Sequence, residues 1–243
     1  MKNWVVNRSY LLAVKAVMRS RTKLTILGKE NIPDPADGGL LIISNHFSVF
    51  EIPFLYTKLP VQPNFFATFE LLETPWIGLG IKAHQDKLIF INRSEVDRKA
   101  LKAGIDKLKT GEWVTIFPEG SITRESIDTA ARGEPTAHLP FYWTRHDPVE
   151  ILPARPGTAW MALQAKVPVL PIAFEGTEKI EQNLTLPKRT EVKMHIGKPL
   201  GPFEIPAGVR GQAKKDLIDQ FGHEMMRSLA GLLPQKYWGD ILP

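Results

Sequence analysis

The sequence predicts a single α/β domain, with a central mixed, largely parallel sheet flanked by helices. Three observations carry that prediction. Short apolar runs recur, such as Leu40–Ser44 (LLIIS), Trp113–Phe117 (WVTIF) and Val167–Phe174 (VPVLPIAF), and they read as buried strands. Helical patterns alternate with them, the clearest over Ser94–Thr110. The chain has 243 residues, 43% of them hydrophobic, which is enough for one full core and argues against global disorder.

Residues 1–23 are predicted to form an amphipathic helical segment ahead of the main domain, which is expected over 24–243. Lys2, Arg8, Lys15, Arg19, Arg21, Lys23 and Lys29 are basic, and no acidic residue occurs before Glu30. Between them lie Trp4, Val5, Val6, Tyr10, Leu11, Leu12, Val14, Val17 and Met18. Two placements fit this pattern: a helix lying on an anionic membrane surface, or a terminal helix packed on its own domain.

Strands are predicted at Leu24–Gly28 and Leu40–Ser44, separated by a turn region over Asn31–Gly39 with two prolines. Phe50–Leu59 reads as the next helix, with Pro53 tolerated because it lies near the start. Asn64–Thr68 and Lys87–Ile91 read as strands, with a short helix within Thr74–Ala83. In that helix Trp76, Ile77, Leu79 and Ile81 suit either the core or the guidance of an apolar ligand. Ser94 is the expected N-cap of the following helix, whose buried face is Val96, Ala100, Leu101, Ile105 and Leu108 and whose stop is Gly111. Trp113–Phe117 is the next strand. Arg124–Arg155 is expected to be irregular, an ordered surface loop or a lid, with four prolines and the aromatics Phe141, Tyr142 and Trp143. A helix over Thr158–Ala165, strands at Val167–Phe174 and Glu191–Ile196, and a helix over Asp216–Leu233 complete the chain.

Composition narrows the chemistry. With no cysteine there is no disulfide frame, thiol nucleophile or thiolate metal site. No apolar run reaches the 18 residues of an ordinary membrane span, and the start lacks the pattern of a cleaved signal peptide. Thirty-one Lys and Arg against 26 acids give a net charge of +5, which favours anionic partners. No base-reading module accompanies that charge, so a membrane surface or a phosphate ester is preferred to nucleic acid.

Three strand ends carry candidate chemistry. After Leu40–Ser44 come Asn45-His46 and, five residues past the histidine, Glu51. A lone histidine there is compatible with a polar end to a strand. If Glu51 folds back, however, its carboxylate fixes one ring N–H and the other nitrogen takes a hydroxyl proton. No protein nucleophile is then required. Ile91-Asn92-Arg93 follows the next candidate strand, and Arg93 offers a fork of donors to phosphate. Phe117-Pro118-Glu119-Gly120-Ser121-Ile122-Thr123-Arg124 ends the third: Gly120 permits close backbone approach, Arg124 adds a cation, and Glu119 suits pairing with an arginine or accepting from a hydroxyl. Val167-Pro168-Val169-Leu170-Pro171 reads as packing beneath the site.

Taken in order, these four motifs resemble the glycerolipid acyltransferase family, in its bacterial 1-acylglycerol-3-phosphate acyltransferase branch, from about Leu24 to Pro199. The resemblance implies His46 as general base and Glu51 as its orienting carboxylate, where the family usually has aspartate. It further implies Arg93 on the acceptor phosphate, Glu119 and Gly120 in acceptor binding, and Arg124 as an approximate match to a basic position. The implied reaction moves a fatty acyl group from acyl-CoA or acyl carrier protein to the free hydroxyl of 1-acyl-glycerol 3-phosphate. It needs no metal or redox cofactor and takes place at the cytoplasmic face of the cell membrane, with the protein bound peripherally or monotopically. Another lysophospholipid, a lyso-aminolipid or glycerol 3-phosphate is the alternative acceptor. A lipid-binding protein impaired by the Glu51 exchange is the alternative class.

Overall fold

The structure is a computed structural model that describes residues 2–74, 77–91, 97–132, 134, 142–145 and 148–242. The predicted α/β class is the observed one. A seven-stranded sheet is built from β1 (Thr22–Leu27), β2 (Leu40–Ser44), β3 (Asn64–Thr68), β4 (Leu88–Ile91), β5 (Trp113–Ile116), β6 (Val169–Glu175) and β7 (Thr190–Ile196), in the order β1-β7-β6-β2-β5-β3-β4. β6, β2, β5, β3 and β4 run parallel; β7 is antiparallel to β6, and β1 is parallel to β7.

Helices cover both faces, which is why β2 is buried at all five positions. Successive side chains of β2 point to opposite faces. Leu41 and Ile43 join a core with α4 (Arg98–Lys109), α6 (Pro156–Ala165) and α8 (Gly211–Ala230), through residues such as Ile105, Met161 and Leu229. Leu40 and Ile42 join a second core with Phe54 and Leu55 of α2 (Glu51–Lys58), with Leu170, Ile172 and Phe174 of β6 and with Ile180 of the short helix α7 (Ile180–Asn183). The parallel strands therefore all end at one edge of the sheet, with β2 held between β6 and β5.

Some boundaries differ from the sequence reading. The N-cap of α4 is Asp97, whose carboxylate accepts from Ala100 N–H at 2.9 Å; Ser94 and Val96 lie outside the described residues. The short helix α3 spans Ile77–Ala83, preceded by a 3-10 turn over Phe69–Glu73, and Trp76 lies outside the described residues. α8 starts at Gly211, earlier than predicted, because its first turns are solvated and carry no apolar stripe to read; its buried residues begin at Met225. The segment expected to be irregular contains a helix, α5 (Arg124–Ala131). Proline density masked it, although the prolines all follow it.

The N-terminal helix α1 spans Lys2–Arg21, with its side chains described from Arg8 onward; those of Lys2, Trp4, Val5 and Val6 lie outside the described residues. It packs on its own domain through Tyr10, whose ring lies 5.7 Å from that of His84 and presses on Gly80 of α3. Leu12 and Val17 nevertheless stay exposed on it.

Candidate active site

The chain leaves β2 at Ser44 and is tied down at once. The Asn45 side chain donates to Phe174 O at 3.1 Å and accepts from Phe174 N–H at 2.8 Å, imitating one more rung between β2 and β6. His46 follows, its residue 8% exposed, with its ring stacked on Phe117 at a centroid distance of 3.9 Å. Phe117 is the first residue after β5, so the neighbouring strand fixes the plane of the imidazole.

Glu51 opens α2 and folds back beneath the loop it follows. Its Oε2 lies 3.2 Å from His46 Nδ1 and accepts from Ser48 N–H at 3.0 Å. Its Oε1 accepts from the Thr177 hydroxyl at 2.6 Å. The side chain is wholly buried, and that burial pushes the carboxyl well above its ordinary range. The Thr177 and Ser48 donors pull the other way, the charge of Glu119 adds to the rise, and Arg145 offsets part of it. Where Nδ1 of His46 carries the ring proton, the ionised Glu51 carboxylate is placed to accept its hydrogen bond, and the Thr177 and Ser48 donors favour that ionised form.

Glu119 stands under the same histidine. Its Oε1 accepts from His46 N–H at 2.9 Å, and its Oε2 accepts from Leu152 N–H at 3.0 Å and from Arg145 Nη1 at 2.6 Å. Both oxygens are thus engaged by the protein, inside it; the Glu119 side chain is fully buried. The arginine expected as one partner for this carboxylate is Arg145. Arg145 also donates to the carbonyls of Ile122, Ser121 and Glu150 and lies over the Phe47 ring at 5.4 Å. It arrives on a short extended stretch in which Val49 N–H donates to Trp143 O and Arg145 N–H donates to Phe47 O. Part of the long irregular segment therefore packs as ordered structure against the His46–Glu51 loop. Pro135, Pro140 and Phe141 of that segment lie outside the described residues.

Gly120 has φ of +86°, and a Cβ there would come 2.7 Å from Arg155 Nε. The absence of a side chain is what admits Arg155, half-buried, with burial lowering the pKa of its guanidinium. Arg124 forms its ion pair with Glu150 near the surface, and its link to His46 runs through Glu150, Arg145 and Glu119. Arg93 lies outside the described residues. The structure thus brings His46, Glu51 and Glu119 into direct hydrogen-bonded contact, with Gly120 beside them. It adds Thr177 and Arg145, which the sequence reading had passed over. Thr177 had a legible signal, because Gly176-Thr177-Glu178 follows a buried strand just as Asn45-His46 does. Arg145 had none, since its place depends on a distant segment folding over the loop.

The Acyltransferase family profile matches residues 23–175, a span that contains His46, Glu51, Glu119 and Gly120. The chain belongs to the Acyltransferase family. It is 26% identical over 221 residues to the 1-acyl-sn-glycerol-3-phosphate acyltransferase of Bacillus subtilis, covering 89% of this chain and 95% of that protein. It is 31% identical over 178 residues to the 1-acyl-sn-glycerol-3-phosphate acyltransferase of Pseudomonas aeruginosa, covering 72% of this chain and 56% of that protein. The crystal structure of the 1-acyl-sn-glycerophosphate (LPA) acyltransferase PlsC from Thermotoga maritima superposes with a TM-score of 0.60, covering 95% of this chain and 79% of that one. At 22% identity that likeness establishes a shared fold.

Proposed function

We propose that this acyltransferase moves a fatty acyl group from an acyl thioester, acyl-CoA or acyl carrier protein, to the free hydroxyl of 1-acyl-glycerol 3-phosphate, giving phosphatidic acid. The observation that carries the reading is the buried His46–Glu51 contact at the carboxyl edge of a parallel sheet, where ligands of open α/β sheets bind. The substrate class follows the names of the two relatives.

In this reading Glu51 holds the proton on Nδ1 of His46, so Nε2 acts as the base. The acceptor hydroxyl gives its proton to Nε2 as its oxygen attacks the thioester carbonyl. The tetrahedral intermediate then collapses, the C–S bond breaks, and the leaving thiolate takes the proton back from the imidazolium. Glu51 needs no change of protonation through the cycle. Arg93 and Arg124 are assigned to the acceptor phosphate, and Glu119 and Gly120 shape the acceptor side by holding the backbone of His46 and admitting Arg155. The 3.2 Å contact between Glu51 and His46 supports turnover over lipid binding alone, since a glutamate that had lost the histidine would leave the ring without its orienting partner.

The protein is proposed to work bound peripherally at the cytoplasmic face of the membrane. No helix among the described residues is long and apolar enough to cross a bilayer. The exposed Leu12 and Val17 on α1, near Arg8, Lys15 and Arg19, suit the headgroup region of anionic lipid. Co-sedimentation with anionic but not with neutral vesicles is expected, and equal partition to both would discard the electrostatic part of this placement.

The decisive assay is acyl transfer to 1-acyl-glycerol 3-phosphate in mixed micelles, with each thioester donor, for wild type and His46→Ala. The variant is expected to lose on the order of 10²–10⁴-fold in rate. Equal rates in a folded variant would overturn the mechanism.

A further inference from the structure

We propose that Thr177 is a positioning residue for the acid–base pair, the group that makes a glutamate serve at position 51. This rests on the reading of His46 and Glu51 given above. The side chain of Glu51 has one methylene more than an aspartate would have, and so one more torsion to fix. Buried in the protein, that carboxylate needs donors for both oxygens, and it needs one oxygen kept on His46. Ser48 N–H and His46 Nδ1 share Oε2, at 3.0 and 3.2 Å, while the Thr177 hydroxyl takes Oε1 at 2.6 Å. Among the described hydrogen bonds of Glu51, the one from Thr177 comes from outside the His46–Glu51 loop, so it sets the rotation of the carboxylate independently of that loop.

Thr177 is itself held from two sides. It follows Gly176, whose φ of +91° turns the chain at the end of β6, with no room for a side chain against the carbonyl of Glu191. The next residue, Glu178, accepts from the Tyr237 hydroxyl at 2.8 Å, and the Tyr237 ring stacks on Phe47 at 5.4 Å. Thr177 is fully buried between these anchors. A hydroxyl fixed this well aims its hydrogen at one place, and Glu51 occupies it.

The charged and titratable groups that face Glu51 are His46 from the end of β2, Glu119 from the end of β5, and Arg145 from the 142–145 stretch. Thr177 adds no charge to this set, but its hydrogen bond favours the ionised carboxylate. Removing the hydroxyl raises the pKa of Glu51 further, so the acidic limb of the kcat–pH profile moves to higher pH. That limb belongs to the Glu51–His46 pair as a whole.

The test compares wild type, His46→Ala, Thr177→Val and Thr177→Ser in the micellar acyl-transfer assay across pH. Thr177→Val is expected to lower kcat roughly 10- to 100-fold, the loss of one hydrogen bond to a charged group, with the KM for the acceptor within about twofold of wild type. Its acidic limb moves up, and Thr177→Ser restores both rate and limb. A Thr177→Val enzyme with the wild-type limb overturns the proposal, even if its Tm has fallen, because a purely structural residue would behave that way. If Thr177→Val does not fold, Thr177→Ala removes the same hydroxyl and is judged on the same limb. His46→Ala separates the levels: loss of activity there with an unmoved Thr177→Val limb sinks this inference alone, while full activity of His46→Ala sinks the catalytic reading beneath it.

Discussion

Arg145→Met removes a guanidinium whose side chain is 3% exposed and leaves the fully buried Glu119 carboxylate without its counter-charge. Methionine is a sensible replacement because it keeps most of the length and packs adaptably. The loss is dominated by the stranded charge, since taking one partner from a buried ion pair costs about 3–5 kcal/mol. Three carbonyls, of Ser121, Ile122 and Glu150, also lose a donor. The remaining donors to Glu119, His46 N–H and Leu152 N–H, soften the penalty without supplying a charge. For a chain of this size a loss of that order lowers Tm by roughly 6–20 °C. Urea unfolding followed by circular dichroism measures it, with the slope against denaturant unchanged if the native state keeps its compactness. The double variant Arg145→Met/Glu119→Gln is expected to recover at least about 1 kcal/mol relative to the sum of the single losses, because glutamine carries no charge to strand. An Arg145→Met protein within about 1 kcal/mol of wild type, or a strictly additive double variant, would refute the assignment of Arg145 as the counter-charge that holds this site together.

Two further outcomes follow from the geometry. Burial raises the pKa of Glu112, but the Asn64 amide at 3.1 Å, Lys107 at 3.1 Å and Lys87 at 3.3 Å outweigh it and hold the carboxyl below its ordinary value. A lowered folded-state pKa contributes stability above the unfolded value and loses it as pH falls through the folded one. Glu112→Gln is therefore expected to cost about 0.5–1 kcal/mol near pH 7, with the gap closing in acid, as read from urea midpoints at several pH values; a gap that widens in acid contradicts it. Gly120→Ala must adopt φ of +86° and meet Arg155 Nε at 2.7 Å, so it is expected to cost about 1–3 kcal/mol and to lower Tm measurably. An unchanged melting curve would mean that the turn relaxes more freely than its packing suggests.

Strands β2 and β3 were legible to the residue, because apolar side chains covered on both faces leave a run with few polar interruptions. Helix α4 was legible in its face and its stop, while its start moved to Asp97 because the local hydrogen bond to Ala100 decides a cap and composition alone does not. Helix α5 was lost behind the prolines that follow it, and half of its own eight residues (Ser126, Ile127, Asp128 and Thr129) have only modest helix propensity. In the site, the approach of Glu51 to His46 was legible from a five-residue spacing, for a short loop into a helix start gives the carboxylate few other places to go.

By itself, the sequence determined which residues stand at the ends of its strands: Asn45-His46 after β2, Phe117-Pro118-Glu119-Gly120 after β5, and Gly176-Thr177 after β6. Local periodicity and chain direction settle that much. Only the tertiary structure decided that β2 lies between β5 and β6, and so that these three ends meet. Strand order depends on how both faces of the sheet bury their apolar area at once, a property of the whole chain. The same holds for Arg145, which reaches Glu119 across 26 residues of sequence. A buried carboxylate requires a partner, and the fold determined which of 31 cations would supply it.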